Sequence, residues 1–195
     1  PRSTLFPYTT LFRSCILGVS YSLLRSDNRL DPNQGYRVQF DLRGAVDGVL
    51  SDANVLHGNV MLKGLTTVFD NHRLLGRVQF GGTETNGFSA VPPSLRFFAG
   101  GDQSVRGYDY QSLSPENNQG DKIGGRYLFT ASAEYQYSLT DKWRLATFID
   151  QGNSFNSLDI PTLKTGVGFG VRWVSPVAQK YGGTDGYASP NALRY

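Results

Sequence analysis

The feature that most constrains this chain is a two-residue alternation of apolar and polar side chains that recurs along most of its length. In the stretch 36–46, aromatic and aliphatic residues alternate with Arg37, Gln39 and Asp41. Because successive side chains of a strand point to opposite faces, this pattern predicts a β-strand with one apolar and one polar face. The same alternation recurs near 17–23, 56–68, 73–80, 126–137, 143–150 and 166–173. The sequence therefore predicts an all-β, antiparallel protein with about seven strands.

The lengths and aromatic ends of these strands favour a transmembrane barrel over a soluble sandwich. Tilted strands of about 9–11 residues cross a bilayer, whereas soluble strands average about 5–6. Aromatic residues mark the ends of the apolar faces, as they do where a barrel meets lipid headgroups; they are Tyr36, Tyr127, Tyr137, Trp143 and Trp173. A soluble sandwich has the same two-residue period, so the alternation alone leaves both architectures open.

Short and long connections alternate along the chain. The stretches 27–35, 70–73 and 138–143 are turns rich in Asp, Asn or Ser, and longer connections lie between them. Outer-membrane barrels have this arrangement, with short periplasmic turns and longer extracellular loops. We therefore expect the long connection at about 83–125 to lie on the extracellular side.

Composition argues against several other classes of protein. The net charge is only +3 and the basic residues are scattered, so we expect no nucleic-acid interface. No apolar run approaches the roughly 18 residues of a membrane helix. The single cysteine, Cys15, excludes an intramolecular disulfide. His57 and His72 have no nucleophile or carboxylate at a telling spacing, and no metal-ligand or phosphate-loop motif is present. We expect no catalytic residue, no metal and no cofactor, and hence no enzyme.

The segment Gly100–Pro115, GGDQSVRGYDYQSLSP, has no alternation and contains Arg106. Glu134 and Asp150 lie on the predicted inward faces of the two strands that come after it. A guanidinium binds carboxylates through two parallel hydrogen bonds, so Arg106 could pin a loop folded into the barrel lumen. Alternatively, Arg106 is a solvated loop charge and the carboxylates line a wet pore. Spacing alone favours the second interpretation.

A family resemblance changes that balance. The stretch FFAGGDQSVRGYDYQSLSP (Phe97–Pro115) resembles the signature of the superfamily of outer-membrane barrels that insert or secrete other proteins, whose sixth extracellular loop carries VRG(F/Y) at its tip. Further motifs keep the superfamily order over Asn28–Val177: NRLDPNQGYRV, EYQYSLTDKW, FIDQGN and GFGVRWVSPV. Within the superfamily, these motifs are most similar to those of the TamA family of the bacterial surface antigen type, the outer-membrane subunits of the translocation and assembly module.

The resemblance implies a fold and a set of site residues. That family has a sixteen-stranded barrel preceded by periplasmic POTRA domains, and its long loop plugs the lumen while the loop arginine contacts the inner wall. Residues 15–177 would then be the C-terminal part of such a barrel. Matched by motif, the loop tip is Val105, Arg106, Gly107 and Tyr108. The inner-wall partners of the loop are Glu134, Phe148, Asp150 and Gly152.

Both ends depart from the family pattern. The string TLFPYTTLFRS (Thr4–Ser14) is similar to a translated sequencing adaptor, so we expect residues 1–14 to be an artefact. Residues 178–195 lack the final amphipathic strand of the family, and we expect a frameshifted tail there. The chain is accordingly expected to be a fragment of the barrel.

The function implied by the resemblance is non-catalytic. We expect a protein of the bacterial outer membrane that helps to insert or secrete β-rich clients such as autotransporters by exchange of strand edges. Its expected partners are outer-membrane lipid, the client proteins and an inner-membrane protein that spans the periplasm. The alternatives are a general barrel-assembly subunit, a two-partner secretion transporter or, from another class, a passive porin or adhesin barrel.

Overall fold

The computed structural model describes residues 16–28, 31–46, 54–88, 91–158 and 162–173. The adaptor expected at 1–14 and the aberrant tail expected at 178–195 lie outside these residues. The described residues form one antiparallel sheet whose strands pair in sequence order. The strands are β1 (Leu17–Ser26), β2 (Gln34–Ala45), β3 (Val55–Val68), β4 (His72–Thr85), β5 (Tyr127–Ser138), β6 (Trp143–Phe155) and β7 (Lys164–Trp173). The predicted all-β fold of seven antiparallel strands is confirmed.

The alternation in the sequence decides which face of the sheet each side chain occupies. On β4, Arg73 and Arg77 are buried on the inner face, whereas Leu74 and Phe80 are exposed on the outer face. At the β7 edge, Phe169 is 92% exposed. Apolar side chains are likewise exposed along the other strands, which gives an outer face far more apolar than a soluble protein tolerates. Among the described residues, no helix is long and apolar enough to cross a membrane.

The strand register aligns inner-face residues into rows that cross the sheet. One row spans four strands: Arg77 on β4 pairs with Ser132 on β5, Ser132 with Asp150 on β6, and Asp150 with Gly166 on β7. We refer to these four residues as the Asp150 row. Because they occupy equivalent positions on adjacent strands, their side-chain positions lie side by side on the inner face.

The connection between β4 and β5, residues 86–126, folds back over the inner face of the sheet and supplies most of the buried apolar residues. It includes a short 3-10 helix, Pro93–Leu95. One apolar cluster joins the loop to β5 and consists of Phe97, Ala99, Val105, Leu113 and Leu128. A second joins the loop to β2 and β3 and consists of Ala45, Val55, Val91 and Leu95. The core of the described structure therefore lies between this loop and the sheet.

His57 attaches the base of the loop to the sheet. Its ring stacks on the ring of Phe97, with 4.7 Å between centroids and 10° between planes. Its Nδ1 lies 2.8 Å from the Thr83 hydroxyl, which donates a 2.8 Å hydrogen bond to the Leu95 carbonyl. The contacts of His57 are thus those of a structural residue that holds the loop.

The connections fall into two groups at opposite ends of the strands. One end carries the turns β1–β2, β3–β4 and β5–β6, and we call it the short-turn end. The other end carries the connections β2–β3, β4–β5 and β6–β7. Exposed aromatic residues near the short-turn end include Tyr36, Tyr137, Trp143 and Trp173.

Candidate functional site: the loop tip on the inner wall

The loop tip, Val105–Tyr108, is shaped by its own residues before it meets the wall. Val105 is 0% exposed and anchors the tip in the apolar cluster beneath the loop. The backbone of Gly107, two positions later, has a φ of 88°, which lies in the left-handed region where a residue with a side chain would be strained. The chain therefore turns sharply after Arg106. Tyr108 packs against the same apolar cluster, and its hydroxyl donates a 3.4 Å hydrogen bond to the Thr165 carbonyl of β7.

Arg106 binds Asp150 through both its side chain and its backbone. Nε donates to Asp150 Oδ2 at 2.7 Å and Nη2 donates to Oδ1 at 2.8 Å, which is the two-pronged geometry of a guanidinium on a carboxylate. The backbone N–H of Arg106 donates to Oδ2 at 3.0 Å. Asp150 is 0% exposed, so its charge is compensated entirely by neighbouring protein groups.

The remaining contacts of the guanidinium spread over β5 and β6. Arg106 Nη1 donates to Glu134 Oε2 at 2.6 Å, and Nη2 donates to the Ser132 hydroxyl at 3.1 Å. Ser132 in turn donates to Asp150 Oδ1 at 2.6 Å. The guanidinium carbon lies 3.5 Å from the centroid of the Phe148 ring, a cation–π arrangement. Arg106 is thus held by two strands and by an aromatic face.

Two further arginines complete the polar network. Arg172 on β7 binds Glu134 Oε1 through Nη2 at 2.7 Å, and Gln136 donates to the same oxygen at 2.7 Å. Arg77 on β4 donates to the Ser104 carbonyl of the loop at 2.8 Å. Arg77 therefore binds the loop directly, whereas Arg172 binds the wall carboxylate that Arg106 also uses.

The protonation of Arg106 is set by these contacts. Burial lowers the pKa of its guanidinium, but the hydrogen bonds to Asp150 and Glu134 outweigh burial, and the pKa is raised above its usual value. The side chain stays charged at every physiological pH. The contact is therefore an ion pair throughout this pH range, and Arg106 does not act as an acid or a base.

Glycine on β7 allows the loop tip to approach the wall closely. A Cβ atom built on Gly166 would collide with the carbonyl oxygen of Arg106. A Cβ built on Gly168 would lie 2.6 Å from the Phe148 ring. Gly152 differs, because the nearest atoms to its hypothetical Cβ belong to Phe129 and Thr130 on β5. Its lack of a side chain serves strand packing, whereas that of Gly166 serves the loop contact.

The structure brings Arg106, Glu134, Phe148 and Asp150 into direct contact, with Val105, Gly107 and Tyr108 shaping the tip around them. Gly152 lies on the same strand as Asp150, but its close neighbours are on β5 and not in the loop. Sequence reasoning missed Arg77, Arg172, Ser132 and Gly166. The run Gly166, Gly168, Gly170 on one face of a strand was the signal that could have found the last of these, because such a face leaves room for another segment.

The chemistry of the site is that of a structural clamp. Among the residues that the structure describes, no group of three His, Cys, Asp or Glu is placed to hold a metal ion. The polar groups that contact Arg106 hold the loop against β5 and β6, and Tyr108 extends the contact to β7. Together with the bond from Arg77 on β4 to Ser104, the arrangement fixes the position of a long loop relative to four strands.

Comparisons with known proteins identify a family, a relative and a solved structure that are similar to this chain. A model of the Omp85 superfamily domain matches residues 9–179. A relative, "Outer membrane protein assembly factor BamA" of Nitratidesulfovibrio vulgaris, is 36% identical over 114 residues, which cover 55% of this chain and 14% of the relative. The crystal structure of BamA from Haemophilus ducreyi lacking POTRA domains 1-3 superposes with a TM-score of 0.69 at 19% identity, covering 83% of this chain and 36% of that one. The chain thus spans well under half the length of either protein.

Proposed function

The chain belongs to the Omp85 superfamily, and from this membership we propose that it is part of a bacterial outer-membrane barrel that assists the assembly of other outer-membrane proteins. The strands β1–β7 supply part of the barrel wall. We assign residues 15–177 of the sequence to the C-terminal region of that barrel. The loop between β4 and β5 occupies the lumen. The apolar outer face contacts outer-membrane lipid. Charged side chains on that face would cost about 2–4 kcal/mol at the bilayer midplane, which explains why the face is apolar.

The observation that carries this proposal is the contact of Arg106 with Glu134 and Asp150. A passive pore needs an open, water-filled lumen, which a long loop clamped to the inner wall obstructs. A barrel that must keep a defined wall geometry while its edge pairs with client strands does gain from such a clamp. The proposed mechanism has no chemical step: client strands pair at an open strand edge through backbone hydrogen bonds.

The finer proposal is a TamA-type role, in which the clients are autotransporters and an inner-membrane partner spans the periplasm. It is supported by the resemblance of the segment FFAGGDQSVRGYDYQSLSP, and of the motifs around it, to the sequences of that family. The second candidate is a general barrel-assembly subunit, which the name of the relative at 36% identity favours. The third candidate is a two-partner secretion transporter of the same superfamily. Depletion of the full-length protein separates these roles: loss of autotransporters alone supports the first, loss of most barrel proteins the second, and loss of one secreted partner the third.

The clamp is tested by Arg106→Lys and Arg106→Ala in the full-length protein. We expect both variants to lose client assembly, with lysine nearly as defective as alanine. A single ammonium cannot reproduce the fork on Asp150 together with the contacts to Glu134 and Ser132. Leaving a buried carboxylate unpaired costs about 3–5 kcal/mol. The measurement is the amount of folded client in the outer membrane, read by its altered gel mobility without heating.

The matched control is Arg126→Lys. Arg126 forms a longer, partly exposed ion pair with Glu84, at 3.9 Å, and pairs near the surface contribute about 0–1 kcal/mol. Normal client assembly by Arg106→Lys would contradict the two-pronged clamp. Ion conductance through the wild-type protein without any effect on clients would instead support the porin alternative.

A further inference from the structure

The turn between β1 and β2 carries a second polar contact, at the short-turn end of the sheet. The carboxylate of Asp27 accepts hydrogen bonds from the backbone N–H groups of Asn28, Asn33 and Gln34, at 2.9, 3.0 and 3.1 Å. These bonds tie the two ends of the turn together, as an Asp at the start of a turn commonly does. Pro32 is fully buried. The turn is therefore built inward, and it presents Asp31 to the inner side of the sheet.

Asp31 bridges two strands that do not pair with each other. Its Oδ1 accepts from Arg73, on β4, at 2.9 Å. Arg144, on β6, donates to Oδ1 at 3.0 Å and to Oδ2 at 2.5 Å. The side chains of Arg73 and Arg144 are only 5% and 11% exposed, so both guanidinium groups depend on this carboxylate. One carboxylate of the β1–β2 turn is thus shared by two arginines on strands that do not pair with each other.

The charge state of Asp31 suits this bridge. Burial raises the pKa of its carboxyl, but the hydrogen bonds from Arg144 and Arg73 outweigh burial and hold the pKa below its usual value. The carboxylate is therefore ionised at neutral pH and can bind both arginines.

Arg144 also stands beside the network around Arg106. It lies directly opposite Arg172 in the pairing of β6 with β7. Like charges opposite each other on adjacent strands repel, so each of these arginines needs a carboxylate of its own. Arg172 uses Glu134, at 2.7 Å, and Arg144 uses Asp31. Arg144 lies on β6, which pairs with the strand that carries Glu134, whereas Arg172 is one strand further away and still reaches it.

We propose that Asp31 is a positioning residue for the loop contact: by occupying Arg73 and Arg144, it leaves Glu134 to Arg106 and Arg172. Without the charge of Asp31, both released arginines turn to Glu134, the inner-face carboxylate on β5, the strand between theirs. Glu134 then has four arginines to bind through one carboxylate group, and its bond to Arg106 weakens. The short-turn end of the sheet and the loop tip are in this way coupled through competition for one acceptor.

The backbone N–H of Arg106 reports on the loop contact directly, because it donates to Asp150. Hydrogen exchange of the full-length protein in lipid nanodiscs, read at single-residue resolution, measures the opening of this amide. For Asp31→Asn we expect the exchange rate of the Arg106 amide to rise about tenfold. The Leu113 amide, which donates to the Ala99 carbonyl within the loop, serves as an internal reference and should not change. The control is Asp41→Asn, which removes an inward carboxylate that binds Ser20 and Gln39 instead.

A second variant separates competition from simple loosening of the turn. In Asp31→Asn combined with Arg73→Gln and Arg144→Gln, both competing arginines are gone, so slow exchange at Arg106 should return although the β1–β2 turn has lost its bonds to β4 and β6. Wild-type exchange at Arg106 in Asp31→Asn alone would overturn the proposal. So would equally fast exchange in the single and triple variants, or an Asp41→Asn effect as large as that of Asp31→Asn. The readout is loop protection, and it can fail or succeed without regard to whether the barrel assembles clients.

Discussion

Arg106 makes five hydrogen bonds to three residues of the wall, and their value lies in geometry more than in net stability. Buried ion pairs roughly offset their own desolvation, but removal of one partner is costly. The clamp therefore penalises every misplaced loop conformation strongly, while it stabilises the correct one only modestly. A residue with these properties selects one arrangement of loop and wall.

Gly166 offers a steric test of the same contact at the scale of one residue. In Gly166→Val, the new side chain collides with the carbonyl of Arg106, so the tip must withdraw from β7. Overpacking costs about 1–3 kcal/mol, and we expect exchange of the Arg106 amide to accelerate by about tenfold or more. Gly170→Val is the matched control, because nothing lies within 4 Å of a Cβ built there on the same strand. Equal exchange in the two variants would show that the tip does not depend on this approach.

What the sequence predicted at this scale was the face of each residue, and what it missed was the register. Glu134 and Asp150 were placed inward because strand geometry fixes the alternation of side chains. The alignment of Ser132, Asp150 and Gly166 in one row depends on how the strands slide against each other, which alternation does not specify. Asp31 and Arg144 are 113 positions apart in the sequence, and no local pattern predicts a contact at that separation.

At the scale of elements, the loop 86–126 behaves as an inserted layer with its own apolar contacts. Its base is held by Phe97, which stacks on His57 and covers Gly81 closely enough to exclude a side chain there. Its tip is held by the charges around Arg106. The absence of alternation in its sequence predicted a loop, but the apolar residues that dock it are spread too irregularly to identify a buried layer.

Phe97 should control docking of the loop independently of the charges. For Phe97→Ala we expect a loss of about 3–5 kcal/mol in docking, because a large aromatic side chain is removed from a buried cluster. Limited proteolysis of the reconstituted full-length protein measures this as faster cleavage within the loop, while the strands stay protected. Tyr110→Ala, at a loop position that is 80% exposed, is the control. Unchanged proteolysis of Phe97→Ala would mean that the charges alone hold the loop.

At the scale of the whole molecule, the sheet is a wall with an apolar outer face that meets lipid and a polar inner face. This was predictable from sequence, since apolar and polar residues alternate over strands of 10–14 residues. The inner surface was less predictable, because a wet pore and a filled lumen both need polar inward residues. The choice between them depends on the 86–126 connection, whose path no periodicity encodes.

Neighbouring residues in the middle of β4 test the assignment of the faces. Val78→Lys places a charge on the outer face and should cost about 2–4 kcal/mol in a bilayer. Gln79→Lys places the same charge on the inner face, where Gln79 now bonds to Asn59, and should cost far less. Urea titration of folding into lipid vesicles compares the two variants. A larger loss for Gln79→Lys than for Val78→Lys would reverse the assigned faces.

The Asp150 row has a consequence for how such a wall is checked as it forms. The backbone of each strand pairs only with its neighbours in the sheet, so backbone pairing alone does not let the other strands detect a register shift between two of them. Residues 104–106 of the loop contact all four members of the row at once, from Arg77 to Gly166. A slip of one position anywhere between β4 and β7 would turn part of the row toward lipid and leave the loop undocked. We expect the loop to dock fully on the sheet only when all four strands are in their correct register, so that its docking reports on the pairing of the whole wall.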